Sequence, residues 1–538
     1  MHLKRWNTRK QVVKDMSKRT LHAWEMGAIV FCALSGGGLF AFTSIVQAQS
    51  AASAPRRPNV ILIYTDDQDW DEVGCYGGKV TTPNMDSLAR EGMRFTRFYV
   101  AAPVCTPSRY NVLSGRYASR SRRQQESFPP GGPINIGWEA GVLGEKILPQ
   151  ALQAGGYATG MVGKWHIGLY EEPAELPSDA DPRDPQVRQV LKANYDKTIR
   201  SIQRCGFDYV ASAYGLNPGS GKNPPPKFWL PKVLQQHNME WVTQGALTFI
   251  EQNKERPFFL YIAPTLPHAP PAPESLKADP RITPLGYLDN PPDVQPSRRE
   301  ILERVKGMEP RQAGAYWLDA NVGAILKKLD ELGQADNTVV FLASDNGRKG
   351  KFACYDGGAR TLLLARWKGV FPSGKVCSQL ASNIDLAPTI LDICGIKPPA
   401  DMQLDGQSLL AALKAGGDYR RESLFLEITT ERAVVTDDGF KYIAVRYPPD
   451  IQKQVDRGAK YDHWCRLIGD KGSNPMGADK EFPNYFDQDQ LYDLNVDPRE
   501  QKNLAGDPKY RQRLESMKKL LRQYSARLPH KFGEFTAP

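Results

Sequence analysis

The strands of this chain read as uninterrupted apolar runs, not as alternation. Val60-Ile61-Leu62-Ile63-Tyr64-Thr65 is the first, and Phe258 to Ile262 and Thr338 to Ala343 are two more, rich in β-branched and aromatic residues. A run that is apolar on both faces suits a strand of a parallel sheet covered by helices on either side. Ala158 to Val162 fits a further strand. Helical spacing predicts a helix over Asn84 to Glu91, with Thr82 as cap, Pro83 in the first turn and Gly92 as stop. A longer helix is predicted from Arg311 to Leu332, ending at Gly333. Buried strands alternating with helices imply an α/β fold whose large, mostly parallel sheet is sandwiched by helices.

Past Lys397-Pro398-Pro399 the pattern changes. Leu424 to Ile428, Ala433 to Thr436 and Lys441 to Val445 read as shorter strands, with Asp438-Gly439 as a hairpin turn between the last two. Tyr510 to Leu528 reads as a closing helix. Residues 56–400 are therefore expected to form the main domain. Residues 401–538 are expected to form a smaller α+β domain with an antiparallel sheet. The stretch from Glu172 to Lys232 is Pro-rich and irregular, and is expected to be a surface insertion.

Charge changes the picture mainly at the N-terminus. Residues 1–25 carry Lys4, Arg5, Arg9, Lys10, Lys14, Lys18 and Arg19 against Asp15 and Glu25. An apolar run from Met26 to Val46 follows and ends in Val46-Gln47-Ala48. That order is a signal peptide over residues 1–48, so the mature protein is expected to be periplasmic or secreted, with no stable membrane anchor. The leader's seven cations against two carboxylates account for half of the +10 net charge. The remaining mild positive excess suits an anionic substrate, and no basic-aromatic nucleic-acid module is visible. Of the eight cysteines, Cys32 belongs to the leader. The spacing of the others defines neither a disulfide framework nor a zinc site.

Candidate chemistry clusters where the predicted strands end. Asp66-Asp67 follows the first strand, and Asp345-Asn346 follows the strand at Thr338. Ligands of open α/β sheets bind past the carboxyl ends of strands. Two such ends side by side would gather four oxygen donors suited to calcium or magnesium. The most specific string is Cys105-Thr106-Pro107-Ser108-Arg109, followed by Ser114-Gly115-Arg116.

That string resembles the signature Cys-x-Pro-Ser-Arg of the sulfatase family, in the alkaline phosphatase superfamily, and the likeness extends from Arg57 to about Leu504. Gly163-Lys164-Trp165-His166 is similar to the family's Gly-Lys-Trp-His block. Pro267-His268-Ala269-Pro270 and Lys351 before Tyr355-Asp356-Gly357-Gly358 resemble two further family segments. The resemblance implies that a maturation enzyme oxidises Cys105 to formylglycine. One hydroxyl of the hydrated aldehyde attacks sulfur, and the other releases the sulfate. It also implies one calcium ion held by Asp66, Asp67, Asp345 and Asn346 with the modified Cys105. Lys164, Lys351 and His268 would bind sulfate, His268 would protonate the leaving oxygen, His166 would hydrogen-bond the hydrate, and Arg109 would position it.

Two departures from the family pattern stand out: the stretch from Asn346 to Lys351 is short, and Asp356 replaces the usual Glu. The expected substrate is a sulfate ester on a small molecule or glycan, with a sulfated carbohydrate favoured by export and by the basic stretch Arg116, Arg120, Arg122 and Arg123. Trp229 and the predicted insertion are expected to line or flank the pocket. A formylglycine-dependent phosphonate monoester or phosphodiester hydrolase would share this chemistry. An unmodified Cys105 would leave a sulfated-glycan-binding protein. A phosphatase with a Ser or Thr nucleophile would need a hydroxyl at position 105 and a second, His-rich zinc site, and neither is visible.

Overall fold

The computed structural model describes residues 56–127, 136, 140–219, 230–469 and 476–529. The signal peptide expected over residues 1–48, and Trp229, lie outside these. In chain order the strands are β1 (Asn59–Thr65), β2 (Met93–Tyr99), β3 (Ala158–Lys164), β4 (Tyr209–Tyr214), β5 (Phe258–Ala263), β6 (Ile282–Thr283), β7 (Gly286–Tyr287) and β8 (Thr338–Ser344). They continue as β9 (Arg360–Arg366), β10 (Lys375–Cys377), β11 (Ala381–Ser382), β12 (Ser423–Ile428), β13 (Glu431–Thr436), β14 (Phe440–Val445) and β15 (Asp489–Asp493).

The large sheet runs β10-β2-β9-β8-β1-β5-β3-β4, with β11 also pairing with β2. β9 runs against its neighbours β2 and β8, and the remaining pairs are parallel. The expected burial of both faces is found. Val60, Leu62 and Tyr64 of β1 enter one apolar core with Val339 and Phe341 of β8. Ile61 and Ile63 enter the opposite core with Val340 and Leu342. The central strands are therefore apolar at every position, because each face is covered.

The helix Pro310–Glu331 packs into the second core through Trp317, Leu318 and Leu329. The helix Pro83–Arg90 adds Met85 and Leu88. Thr82 stands at its cap position, but the hydroxyl of Thr82 accepts from Gly74 N and donates to Asp86 instead of closing the helix.

The second sheet is antiparallel, in the order β12-β13-β14-β15. Its β13–β14 turn carries Gly439 at φ 91°, a left-handed value that glycine adopts freely. One face of this sheet packs Leu424, Leu426 and Ile443 onto Tyr99, Val104 and Tyr355. The other packs Phe425, Val434 and Tyr442 under Leu514, Met517 and Leu521 of the helix Arg511–Ser525.

The stretch from Glu172 to Lys232 is not the irregular insertion its prolines suggested. It holds a helix, Pro185–Gln203, and the edge strand β4. Pro185 sits in the first turn of that helix, where a missing N–H costs nothing, and Asp184 accepts from Gln186 N and Val187 N. Only Leu191 and Ile202 among its apolar residues are buried, so the helical stripe is too thin to stand out in sequence.

Candidate active site

The sheet register sets the centre of the site. Thr65 pairs with Ser344, so Asp66-Asp67 and Asp345-Asn346 leave adjacent strands at the same level. Asp67 N donates to Asp345 Oδ1 at 3.0 Å, with Asp67 at φ 59°. β3 ends alongside, past β5, and brings Lys164. Gly163 precedes it at φ 93°, where an added Cβ would lie 2.0 Å from Ala263 O; only glycine lets β3 approach β5 this closely. The helix Cys105–Ser114 begins here, and all of its residues are buried. Its interior is polar: Asn383 Nδ2 donates to Tyr64 Oη and Ser108 Oγ and locks the helix to β1.

Three carboxylates and three cations meet in this space. Lys164 Nζ donates to Asp66 Oδ2 at 2.8 Å, and Arg109 to Asp345 Oδ2 at 2.7 Å. Lys351 Nζ donates to Asp67 Oδ1 at 2.6 Å and lies 3.2 Å from Cys105 Sγ. Asn346 Nδ2 donates to Asp67 Oδ1 at 2.8 Å. His268 Nε2 stands 3.7 Å from Asp67 Oδ2. His166, at φ 61°, is fixed by its backbone N–H on Gly215 O at 3.1 Å.

The short loop from Asn346 to Lys351 reaches the site by folding flat against the Gly357-Gly358 turn. Gly347 N donates to Gly358 O at 2.9 Å. A Cβ on Gly347 would come within 2.2 Å of Gly357 O, and one on Gly358 within 2.2 Å of Gly350 O. Packed in this way, the short loop carries Lys351 into the centre. Asp356, by contrast, lies outside it, accepting from Lys441 Nζ at 2.9 Å and from Tyr99 Oη at 3.2 Å.

The electrostatics follow from burial and pairing. Burial alone would raise the Asp67 carboxyl, but Lys351, His268 and Lys164 together hold it below the usual range. Burial pushes Asp345 up to about 6, with Arg109 opposing. Burial pushes the Cys105 thiol up to about 12 despite both lysines, so it is a thiol at neutral pH and a poor nucleophile as it stands. Burial lowers His268 to about 4 against the pull of Asp67, and burial also holds His166 well below the usual histidine range, with Lys164 and Arg109 adding to it.

Of the candidate cation ligands, Asp66 Oδ1 and Asn346 Oδ1 make no hydrogen bond, and Arg109 lies 3.8 Å from Asp66 Oδ1. Ligand atoms of Asp66, Asp67, Cys105 and His268 lie within 4.8 Å of one another. An unpaired buried acceptor costs about 1–3 kcal/mol, and oxygen acceptors of this kind suit a hard cation. This grouping includes His268, which sequence had assigned to sulfate. Asp345 has one oxygen on Asp67 N and the other on Arg109.

Asn217 was missed by sequence reasoning. It lies in the stretch read as an insertion, three residues past β4, and its Nδ2 is 3.1 Å from His268 Nε2. No spacing signal links positions 51 residues apart. The expected basic flank is also different. Arg116 pairs with Glu145, Arg120 with Asp405 at 2.8 Å and Arg122 with Glu126 at 2.8 Å, all beyond the far end of the Cys105 helix. The cysteines of the described residues are all unpaired. Among those residues, no helix is long and apolar enough to cross a membrane.

Comparison with known proteins gives the same assignment. The Sulfatase family model matches residues 58–396, and the model for the C-terminal part of N-sulphoglucosamine sulphohydrolase matches residues 347–456. N-acetylgalactosamine-6-sulfatase of Canis lupus familiaris is 30% identical over 401 residues, covering 68% of each chain. Arylsulfatase A of Homo sapiens is 30% identical over 493 residues, covering 86% of each. A structure solved with its substrate D-glucosamine-2-N,6-O-disulfate superposes with a TM-score of 0.56 at 22% identity, covering 88% of this chain and 98% of that one. A buried cysteine at a helix start, ringed by paired acids and lysines at the carboxyl ends of a mixed sheet, and a family match over most of the chain lead to one assignment: this protein belongs to the sulfatase family and is a sulfuric ester hydrolase.

Proposed function

We propose that the protein is an exported, formylglycine-dependent sulfatase that acts on a sulfated carbohydrate. The observation that carries this reading is the position of Cys105: its Sγ lies 3.2 Å from Lys351 Nζ, at the first residue of a buried helix and within 4.8 Å of a carboxylate oxygen of Asp66 and of Asp67. The helix start favours an anion there.

After a maturation enzyme converts Cys105 to formylglycine, the hydrated aldehyde supplies the nucleophile. Asp66, Asp67, Asp345 and Asn346 would hold one divalent cation, of the calcium type given all-oxygen donors, which supplies charge stabilisation for the sulfate. The protein's own charges in the centre balance, three carboxylates against Lys164, Lys351 and Arg109. A divalent ion tips the balance positive, which suits an anionic ester. Lys164 and Lys351 are the proposed sulfate-binding cations. Arg109, held by Asp345 and by Tyr261 Oη at 3.3 Å, keeps the helix start in place. His166 would steady the hydrate. His268 Nδ1 donates to Ala269 O at 3.0 Å, which turns Nε2 towards the centre, where it would pass a proton to the leaving oxygen. A neighbouring anion favours the protonated ring against the cost of burial.

The carbohydrate reading is supported by the relative named for N-acetylgalactosamine 6-sulfate and by the neighbour solved with a glucosamine disulfate. The test of the chemistry is mass spectrometry of the tryptic peptide Phe98–Arg109 from protein made in its native host. Conversion of CH₂SH to CHO at Cys105 is the expected result. An intact thiol would refute the mechanism and favour a sulfated-glycan-binding protein. The test of the substrate is sulfate release from a panel of defined sulfated saccharides, and turnover confined to aryl sulfates would refute the carbohydrate reading.

A further inference from the structure

The sheet continues one strand past β3, and the turn that leaves β4 touches both site histidines. Gly215 O accepts from His166 N at 3.1 Å, and Asn217 Nδ2 lies 3.1 Å from His268 Nε2. Gly215, Leu216 and Asn217 are also one wall of a cleft closed by Pro173, Tyr195, Tyr214, Leu230 and Pro284.

Most polar side chains of its walls are committed elsewhere, and the exception is Asn217 Oδ1, a buried acceptor that makes no hydrogen bond. The Asn194 side chain accepts from Ala174 N and donates to Ala174 O, and Thr198 Oγ1 donates to Asn194 O. Tyr214 Oη accepts from Asn238 N at 3.1 Å and donates to Gln236 O at 3.3 Å. No charged residue lines the cleft among the described residues. What it offers a ligand is apolar surface and one amide acceptor, which suits an N–H donor, whereas a second sulfate or a carboxylate would be desolvated there without a partner.

Size narrows the occupant. The cavity is about 50 Å³. A water needs about 10–15 Å³ measured this way, so there is room for a group of about three to five heavy atoms, and none for a polycycle or a second sugar ring. Position narrows it further. With His268 facing the leaving oxygen, the alcohol lies on the His268–Asn217 side, and β4 is two strand spacings, about 10 Å, from β5. A sugar ring and its substituent span such a gap.

We infer that this cleft receives a compact, uncharged substituent of acyl size carried by the alcohol half of the ester, as the N-acetyl group of an amino sugar would provide. The inference rests on the carbohydrate reading above, and its test separates the two. Matured wild-type enzyme is assayed on hexosamine sulfates bearing the ester at each ring position. Each is supplied as the N-acetyl and N-hexanoyl form beside the matching 2-hydroxy hexose sulfate. The expected kcat/KM for N-acetyl exceeds that for 2-hydroxyl by about tenfold or more, and the advantage disappears for N-hexanoyl. Leu216→Trp, which fills the cleft, is expected to erase the N-acetyl preference. Leu230→Ala, which widens it, is expected to extend the preference to longer acyl groups. Equal turnover of the acetyl and hydroxyl sugars by the wild type overturns the cleft assignment and leaves the carbohydrate reading standing. Release from aryl sulfates alone overturns both.

Discussion

At the carboxyl ends of β1 and β8, Asp66, Asp67 and Asp345 are buried with Lys164, Lys351 and Arg109. Between the two sheets, Asp356 and Glu500 are buried with Lys441. Depth does not distinguish these clusters; completeness does. In the second, Lys441 Nζ meets Asp356 Oδ1 at 2.9 Å and Glu500 Oε1 at 2.8 Å, Tyr99 Oη donates to Asp356 Oδ2, and Asp356 N donates to Glu500 Oε2. Each carboxylate oxygen there has a donor within 3.2 Å, with Lys441 and Glu500 Oε1 joined as an ion pair and not by a hydrogen bond. In the first, Asp66 Oδ1 meets Arg109 only at 3.8 Å, too far for a hydrogen bond, and Asn346 Oδ1 makes no hydrogen bond. A fold that satisfies one buried charge cluster and leaves another open is sustaining an instability of about 1–3 kcal/mol per open acceptor, and a ligand is what removes it. The open cluster is where chemistry is to be sought, and the closed one holds the sheets together.

The sharpest way to break this contrast is to remove one charge from each cluster. Asp66→Ala or Asp345→Ala should cut kcat per folded molecule on an aryl sulfate by about a thousandfold or more, with the fold retained but the thermal midpoint lowered, because Lys164 or Arg109 loses its buried partner. Full activity in either variant, or in enzyme stripped of metal, would refute the cation site. Lys441→Met should lower stability without the loss of turnover. Two buried carboxylates lose their counter-ion, at a cost of about 3–5 kcal/mol, read as a fall in denaturation midpoint. Activity per folded molecule should fall far less than in the Asp66 variant. A comparable loss of both would show that the closed cluster acts on the site through the Gly357-Gly358 turn that supports Lys351.

His237 sharpens the comparison at the rim. Its Nδ1 accepts from Thr265 Oγ1 at 2.7 Å, and its Nε2 donates to the carbonyls of His268 and Pro270 at 3.0 and 2.9 Å, so it holds the loop that presents His268. Burial lowers it to about 3, against about 6.5 for an unfolded chain. Below pH 6.5 the unfolded chain therefore takes up a proton that the folded one refuses, and stability falls as pH drops towards 3. The cost between pH 7 and pH 5 is about 2 kcal/mol. His237→Gln should lose about 1 kcal/mol at pH 7 through its hydrogen bonds and show a shallower acid slope. An unchanged slope would show that other groups dominate acid unfolding.

What could be read from sequence was what is local. β1, β5 and β8 were legible because burial on both faces writes an unbroken apolar run, and Cys105 to Arg109 because one helical turn carries the whole string. Lys351 was placed by its distance from Tyr355, although the trimmed loop left no sign of how it reaches the centre; backbone contact between facing glycines is invisible in composition. β4 and its preceding helix were hidden by proline and a thin apolar stripe. Asn217 disappeared with them, because its only signal is a contact across the sheet. The arginines from 116 to 123 were read as a basic approach, since sequence shows charges and not their partners.

Those arginines supply the smallest expected effect. The Cys105 helix is ten residues long, about 15 Å, and Arg116 to Arg123 follow its far end. Arg122 Nε meets Glu126 Oε1 at 2.8 Å, one turn along, with side chains 68% and 62% exposed. Solvent screens such a pair almost completely. Arg122→Ala should therefore leave the thermal midpoint unchanged within error, and change kcat/KM on a sulfated oligosaccharide by less than about twofold. The measurement that decides is the salt dependence. An exposed arginine that steers a polyanion acts within about 10 Å at 0.1 M salt, so its loss would lower kcat/KM at low ionic strength and matter little at high. Such a result would add a third use of charge to the two compared above, a solvated patch guiding substrate towards the open cluster. A flat response at every ionic strength would confine substrate recognition to the sheet's carboxyl edge.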